Sequence, residues 1–250
     1  MSGTVDDVSG DDASHLNPVI QSKRTRYPRV EPGLEFARVA NFTDAVYAIA
    51  LTLIAVELKP PILDPHVDAQ GGHEAATQLG ELLWEMREEF FIFFIAFAVM
   101  GAYWFQNHRF MAGLRGVDTP FVITMLPYLA FVAFLPFPAA TMGKYSDNAT
   151  AVASFAVTMA AVSFVETLLL MRAHKSKLFF VPLTDDQYRW GVIGSLSPVL
   201  LFLISVPVML LTENTLLGFA VWALNMPLGV FLNTKMEKLD VEPSSRAVAD

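Results

Sequence analysis

No cysteine occurs in the 250 residues, which excludes a disulfide framework, a thiolate metal site and a cysteine nucleophile. Charge is scarce as well. Only 17% of residues are Asp, Glu, Lys or Arg, against about a quarter in soluble domains. The net charge of −8 leaves no basic face for nucleic acid. The chain has no HExxH, no GxSxG and no glycine-rich phosphate cradle. An intramembrane enzyme would need acids, His or Ser clustered at one depth, whereas His73 and Glu74 lie in a polar stretch. No catalytic residue, cofactor or resident metal is expected. The first residues are polar and acidic without an apolar core, so no signal peptide is expected either.

Apolar residues, by contrast, make up 54% of the chain and the mean hydropathy is +0.44. They gather into runs long enough to cross a bilayer, so the expected fold is an all-α integral membrane protein. Six spans are expected, at about 36–58, 90–107, 119–142, 149–171, 188–211 and 215–233. Residues 1–33, rich in Asp, Ser, Gly and Pro, read as a disordered tail. Residues 34–236 read as the six-helix domain and 237–250 as a second tail. Lys59-Pro60-Pro61 ends the first span. The following stretch, to about Glu81, reads as a polar external loop, with 81–89 a short amphipathic lead-in. Pro127, Pro136 and Pro138 interrupt the third span, Pro198 and Pro207 fall in the fifth, and Asn225 and Pro227 read as packing and kink features of the sixth. Of the 17 Lys and Arg, only Lys59, Arg87 and Lys144 fall on the expected outer side. By the positive-inside rule both termini are then cytoplasmic, in a multi-pass protein of the plasma membrane. No internal repeat is visible, so an inverted-repeat transporter gains no support.

The first span is the unusual one. It carries Arg38, Asn41, Thr43 and Asp44 in its first turns, and polar groups there are costly unless they face protein or water. At about 100° per residue, Ala45, Ile49, Thr52, Leu53 and Val56 share a stripe with Phe42 at its end, while Asp44 lies opposite with Ala40, Tyr47 and Leu51. Thr43 or Asp44 could instead cap a shorter helix, but that helix falls short of the ~20 residues a span needs. An Ile/Leu/Val stripe taken alone is ordinary packing or lipid-facing surface.

Arg38-x-x-x-Phe42-Thr43-Asp44, followed by AVYAIALTLIAVELKPP, resembles the signature first helix of the prokaryotic TMEM175 family of potassium channels, with Thr43 in the place of the family's Ser. Tyr103-Trp104-Phe105-Gln106-Asn107-His108-Arg109 is similar to the family's Trp–His–Arg sequence at the cytoplasmic end of the second span. The resemblance implies a homotetramer in which the first helix of each subunit lines a central pore, with no P-loop. The chain has no TVGYG filter; the nearest string, Thr141 to Tyr145, carries Lys144 where a carbonyl filter would not want it. Carried over by position, Ile49 would form the narrowest hydrophobic ring, Leu53 and Val56 further rings, and Thr52 the hydroxyl layer tied to selectivity. No acidic ring lies on the stripe, so strong divalent binding is not expected; the expected partners are potassium ions, present only transiently in the pore, and the lipid bilayer.

The same resemblance puts Arg38, Thr43, Asp44, Trp104 and His108 in a hydrogen-bond network that fixes the first helix. Trp104 or His108 could equally be an interfacial residue of the aromatic belt. Glu166 in the fourth span is a further acid whose partner the sequence does not name. The alternative function is a proton-coupled membrane transporter or a proton-conducting channel, with Asp44 or Glu166 as carrier.

Overall fold

The computed structural model describes residues 32–232 together with 234 and 235. Its helices are α1 (Pro32–Val56), α2 (Pro65–Gln70), α3 (Gly72–Glu85), α4 (Arg87–Ala112), α5 (Thr119–Phe134), α6 (Pro136–Lys144), α7 (Ala149–Lys175), α8 (Asp185–Thr212) and α9 (Thr215–Ala223), after which helix resumes over 225–232. Among the described residues six spans are long and apolar enough to cross a membrane: Leu34–Val56, Arg87–Ala112, Thr119–Lys144, Ala149–Lys175, Asp185–Thr212 and Thr215–Leu232. The third joins α5 to α6 across a break at Leu135, and the sixth joins α9 to its continuation.

The spans start where polar side chains can cap them. Asp118 accepts from Phe121 N at 2.8 Å to open α5. Asn148 accepts from Thr150 N and Ala151 N to open α7. Thr184 and Gln187 form a reciprocal capping box on α8, and Asn214 accepts from Leu216 N on α9. Each such cap contributes about 1 kcal/mol to its helix. Proline inside a span removes an N–H and leaves the carbonyl one turn back without a donor. At Pro198 the hydroxyl of Ser197 supplies the substitute, donating to Gly194 O at 2.9 Å. The Thr212-Glu213-Asn214 turn is tight, with Glu213 at φ 51. Gly218 lets α9 close down on α8, since a Cβ there would run into the Met209 side chain.

Three expectations need correction. The stretch after the first span is not a plain loop but holds α2 and α3. Asp64 accepts from His66 N at 2.8 Å and Pro65 sits at the start of α2, so the residues that looked like loop punctuation act as a helix start. Gly71 and Gly72, at φ 63 and 74, make the turn into α3. The lead-in at 81–89 is split, its first residues ending α3 and its last beginning α4 across Met86. The first helix also starts earlier than expected, at Pro32. The tails assigned to 1–33 and 237–250 otherwise lie outside the described residues.

Helix α7 is the centre of the bundle. Val152, Ala156, Met159, Val162 and Leu169 on it have no exposed surface, and it packs on α5, α6 and α8. Helix α1 packs on α4, α5 and α6 at the edge of this bundle. The two ends of the bundle are tied separately. At one end Ser146 donates to Glu88 at 2.7 Å. At the other, Arg115 N donates to Leu178 O at 2.8 Å and Phe180 N to Gly113 O at 3.0 Å, joining the connections after the second and fourth spans.

Candidate functional site

Helix α1 has two faces, and both are visible in the single chain. Thr43, Tyr47, Ala50 and Ile54 recur at intervals of three and four and are buried against the bundle, the spacing of one helix face. Phe42, Ala45, Ile49, Thr52, Leu53 and Val56 are all exposed. Ile49 keeps 60% and Val56 68% of its surface uncovered. Asp44, Ala40 and Leu51 are half-buried, on the side of Tyr47.

The buried face is held by hydrogen bonds at two heights. Near its start, Trp104 Nε1 on α4 donates to Asp44 Oδ1 at 2.9 Å. One turn further along, Tyr47 and Tyr128 on α5 meet hydroxyl to hydroxyl at 2.6 Å, both rings buried. A carboxylate on a membrane helix needs such a donor, because an unmatched charge in an apolar surround is strongly disfavoured. Thr43 satisfies its own hydroxyl by donating to Val39 O at 2.9 Å. The His108 ring lies 5.6 Å from Trp104, inclined at 31°, and so stacks loosely beside it rather than donating to Asp44. Arg38 is exposed, and among the described residues its side chain makes no hydrogen bond or ion pair.

On the exposed face, Thr52 donates its hydroxyl proton to Ile49 O at 2.8 Å. Its oxygen lone pairs remain available to an incoming cation or water. The string from Thr141 to Lys144 is the helical end of α6 and offers no extended row of carbonyls.

A second polar group sits deeper. Gln106 Nε2 donates to Glu166 Oε1 at 3.0 Å. Ser163 spends its own proton on Met159 O, so Tyr103 is the donor in its 2.6 Å contact with Ser163. These bonds bridge α4 and α7, whose backbones do not approach closely, so only long side chains could span the gap. Sequence reasoning singled out Glu166 but gave no role to Gln106, Tyr103, Ser163 or Tyr128. The one available signal was the run Tyr103–Asn107, whose polar residues are too closely spaced to point at one neighbour. Asn107 is buried, and its Nδ2 has no hydrogen-bond partner among the described residues. At the end of the bundle, Asp118 accepts from Arg172 at 3.2 Å and from Ser176 at 2.7 Å. Partial burial raises the Asp118 pKa, but Ser176, the Phe121 N–H and the Arg172 guanidinium outweigh it and hold the carboxyl below its ordinary range. No group of three or more His, Asp or Glu side chains suited to a metal ion occurs among the described residues.

The family model for the endosomal/lysosomal potassium channel TMEM175 matches residues 38–136, the stretch that holds both faces of α1 and the Trp104 tie. A potassium channel of Streptomyces collinus is 26% identical over 194 residues, covering 73% of this chain and 89% of its own length. The endosomal/lysosomal proton channel TMEM175 of Bos taurus is 33% identical over 103 residues, which is 40% of this chain and 20% of the bovine protein. In fold, the crystal structure of a lysosomal potassium-selective channel TMEM175 homolog from Chamaesiphon minutus matches with a TM-score of 0.64 at 21% identity, over 80% of this chain and 99% of that one. In the family model over residues 38–136 and in its curated relatives the chain is similar to the TMEM175 family, and its fold is similar to that of a solved TMEM175 homolog.

Proposed function

We propose that the protein is a passive potassium-permeable channel of the plasma membrane, with both termini cytoplasmic. In this reading four copies assemble around one axis, and α1 of each copy lines the pore. The observation that carries the reading is the two-faced build of α1. Its polar anchors turn into its own bundle, leaving an exposed apolar stripe with one hydroxyl. The name of the Streptomyces relative, over nearly the whole of that protein, supports potassium as the ion.

Four Ile49 side chains at one level make a neck that holds water poorly and gates by dewetting. Leu53 and Val56 make further rings. Four Thr52 hydroxyls offer neutral oxygens to a partly dehydrated ion. Selectivity for potassium over sodium is modest if neutral groups alone set it. Asp44 and Trp104 set the rotation of α1 through their direct bond, with His108 stacked beside Trp104 and Thr43 buried on the same face, while Arg38 and Phe42 stay exposed.

The absence of native cysteine makes the test clean. In liposomes, Ile49→Cys protein should conduct potassium, and a water-soluble thiol reagent should block it within the time of a flux trace. Thr52→Cys should behave likewise, and Ala50→Cys, on the buried face, should not. A current that ignores modification at Ile49 would end the pore assignment. Parallel traces with a pH-sensitive dye separate potassium conduction from proton movement.

A further inference from the structure

Beside the last turns of the fourth span, α5, α7 and α8 leave a hollow of about 410 Å³. Its polar lining is made of Arg172, His174 and Lys175 on α7, Tyr188 on α8 and Thr124 on α5, whose hydroxyl donates to Pro120 O. Leu168 and Met171, both exposed, continue it down the same helix into the apolar zone. No carboxylate is among the lining residues. Asp118, the acid bonded to Arg172, is shared among Arg172, Ser176 and the Phe121 N–H. The His174 ring is held parallel to Tyr188, with centroids 4.0 Å apart and planes 13° apart. That stacking fixes the imidazole edge without using its nitrogens.

Basic residues in the last turn of a helix also complement its dipole, and that would account for their presence in α7. It does not account for their gathering around a hollow with an apolar floor. Groups that can only donate, or that donate by preference, want an oxyanion. An apolar floor beneath them wants hydrocarbon. One molecule in a membrane has both: a phospholipid with net negative charge. Basic pockets between membrane helices at the cytoplasmic face are suited to such headgroups. We infer that this hollow is a binding site for an anionic phospholipid of the inner leaflet, its phosphate against Lys175, His174 and Arg172 and one acyl chain along Leu168 and Met171. The leaflet rests on the orientation proposed above; the binding itself does not depend on conduction.

The test uses the full chain, delipidated in neutral detergent, and counts phosphatidylglycerol and phosphatidylcholine of matched chains retained in native mass spectra. Wild type should retain phosphatidylglycerol in preference. Lys175→Gln should weaken that retention about fivefold, the effect of one basic residue at an anionic surface. Lys175→Arg should keep most of it, and His174→Gln combined with Lys175→Gln should abolish the preference. Lys144→Gln, at the other end of the bundle, should change nothing. Equal retention of the two lipids would overturn the inference, as would a preference that survives the double variant. Competition by glycerol phosphate as effective as by the lipid would overturn the acyl-chain part and leave a simple anion site. Should the double variant fail to fold, the single Lys175→Gln and Lys175→Arg pair decides. Loss of conduction with the lipid preference intact would count against the channel reading alone.

Discussion

Helices α1 and α7 are built from equally apolar sequence, yet 22% of the first span is buried inside the chain and 72% of the fourth. Both fit a bilayer. The difference lies in what each does with its few polar groups. On α7, Ser163 and Thr167 return their protons to the backbone of their own helix, at Met159 O and Ser163 O, and Glu166 takes a bond from α4. Apolar neighbours then surround the helix on nearly every side. On α1, Asp44 and Tyr47 both reach into the bundle and leave the far side of the helix with nothing from its own chain upon it. Hydropathy therefore reports that a helix can live in a membrane, not where in the protein it lives. A helix left uncovered by its own chain must be covered by lipid, water or another copy.

The comparison can be broken most severely at the centre. Leu169 is fully buried on α7, and Leu169→Ala should cost about 2–5 kcal/mol, read as a lower unfolding midpoint in detergent. Leu53→Ala on the exposed face of α1 should cost well under half as much. Similar losses at the two sites would mean that the exposed stripe is in fact packed. Next in size is the tie between α1 and α4. Asp44→Ala leaves the Trp104 Nε1–H without its acceptor and should destabilise by about 1–3 kcal/mol. The assembly yield should drop while reversal potentials of the surviving protein stay put. Sound assemblies with a changed ion preference would point to a direct role for Asp44 in permeation.

A smaller effect, in acid, tests the tie at the end of the bundle. The Asp118 carboxyl is held below its ordinary range in the folded protein. Its contribution is therefore complete above the unfolded value, near pH 4, and is lost as pH falls through the lower folded value. Asp118→Asn keeps a capable helix cap and removes the titration. The stability of the variant should fall less steeply below about pH 4 than that of wild type, and an unchanged acid limb would assign the ties of Asp118 no net effect. The smallest change in stability, within about 0.5 kcal/mol, is expected for Ile49→Ala, an exposed side chain. Its effect on flux should be the opposite in scale, a severalfold rise in potassium leak in liposomes as the neck widens.

The spans were legible because a bilayer demands long apolar runs, and the breaks at Leu135 and Leu224 fall beside the prolines that announce them. Helices α2 and α3 were not legible, because Asp64-Pro65 and Gly71-Gly72 read the same way whether they end a loop or start a helix. In the candidate site, the resemblance put Asp44 and Trp104 in one network, and angular position put Tyr47 behind the stripe. The partner of Tyr47 carried no signal: Tyr128 is one aromatic residue among many in an apolar run. The pairing of Glu166 with Gln106 escaped for a related reason, since the two join helices that are not packing neighbours.

The two bonds that hold α1 at different heights have a mechanical consequence. A rod keyed at two points along its length cannot turn about its own axis unless both keys leave their slots together, whereas it can lean or slide a little with either one intact. Opening of the proposed neck should then be a change in the separation of four rods at constant azimuth, which distances between spin labels placed along α1 would register as a radial shift without a twist.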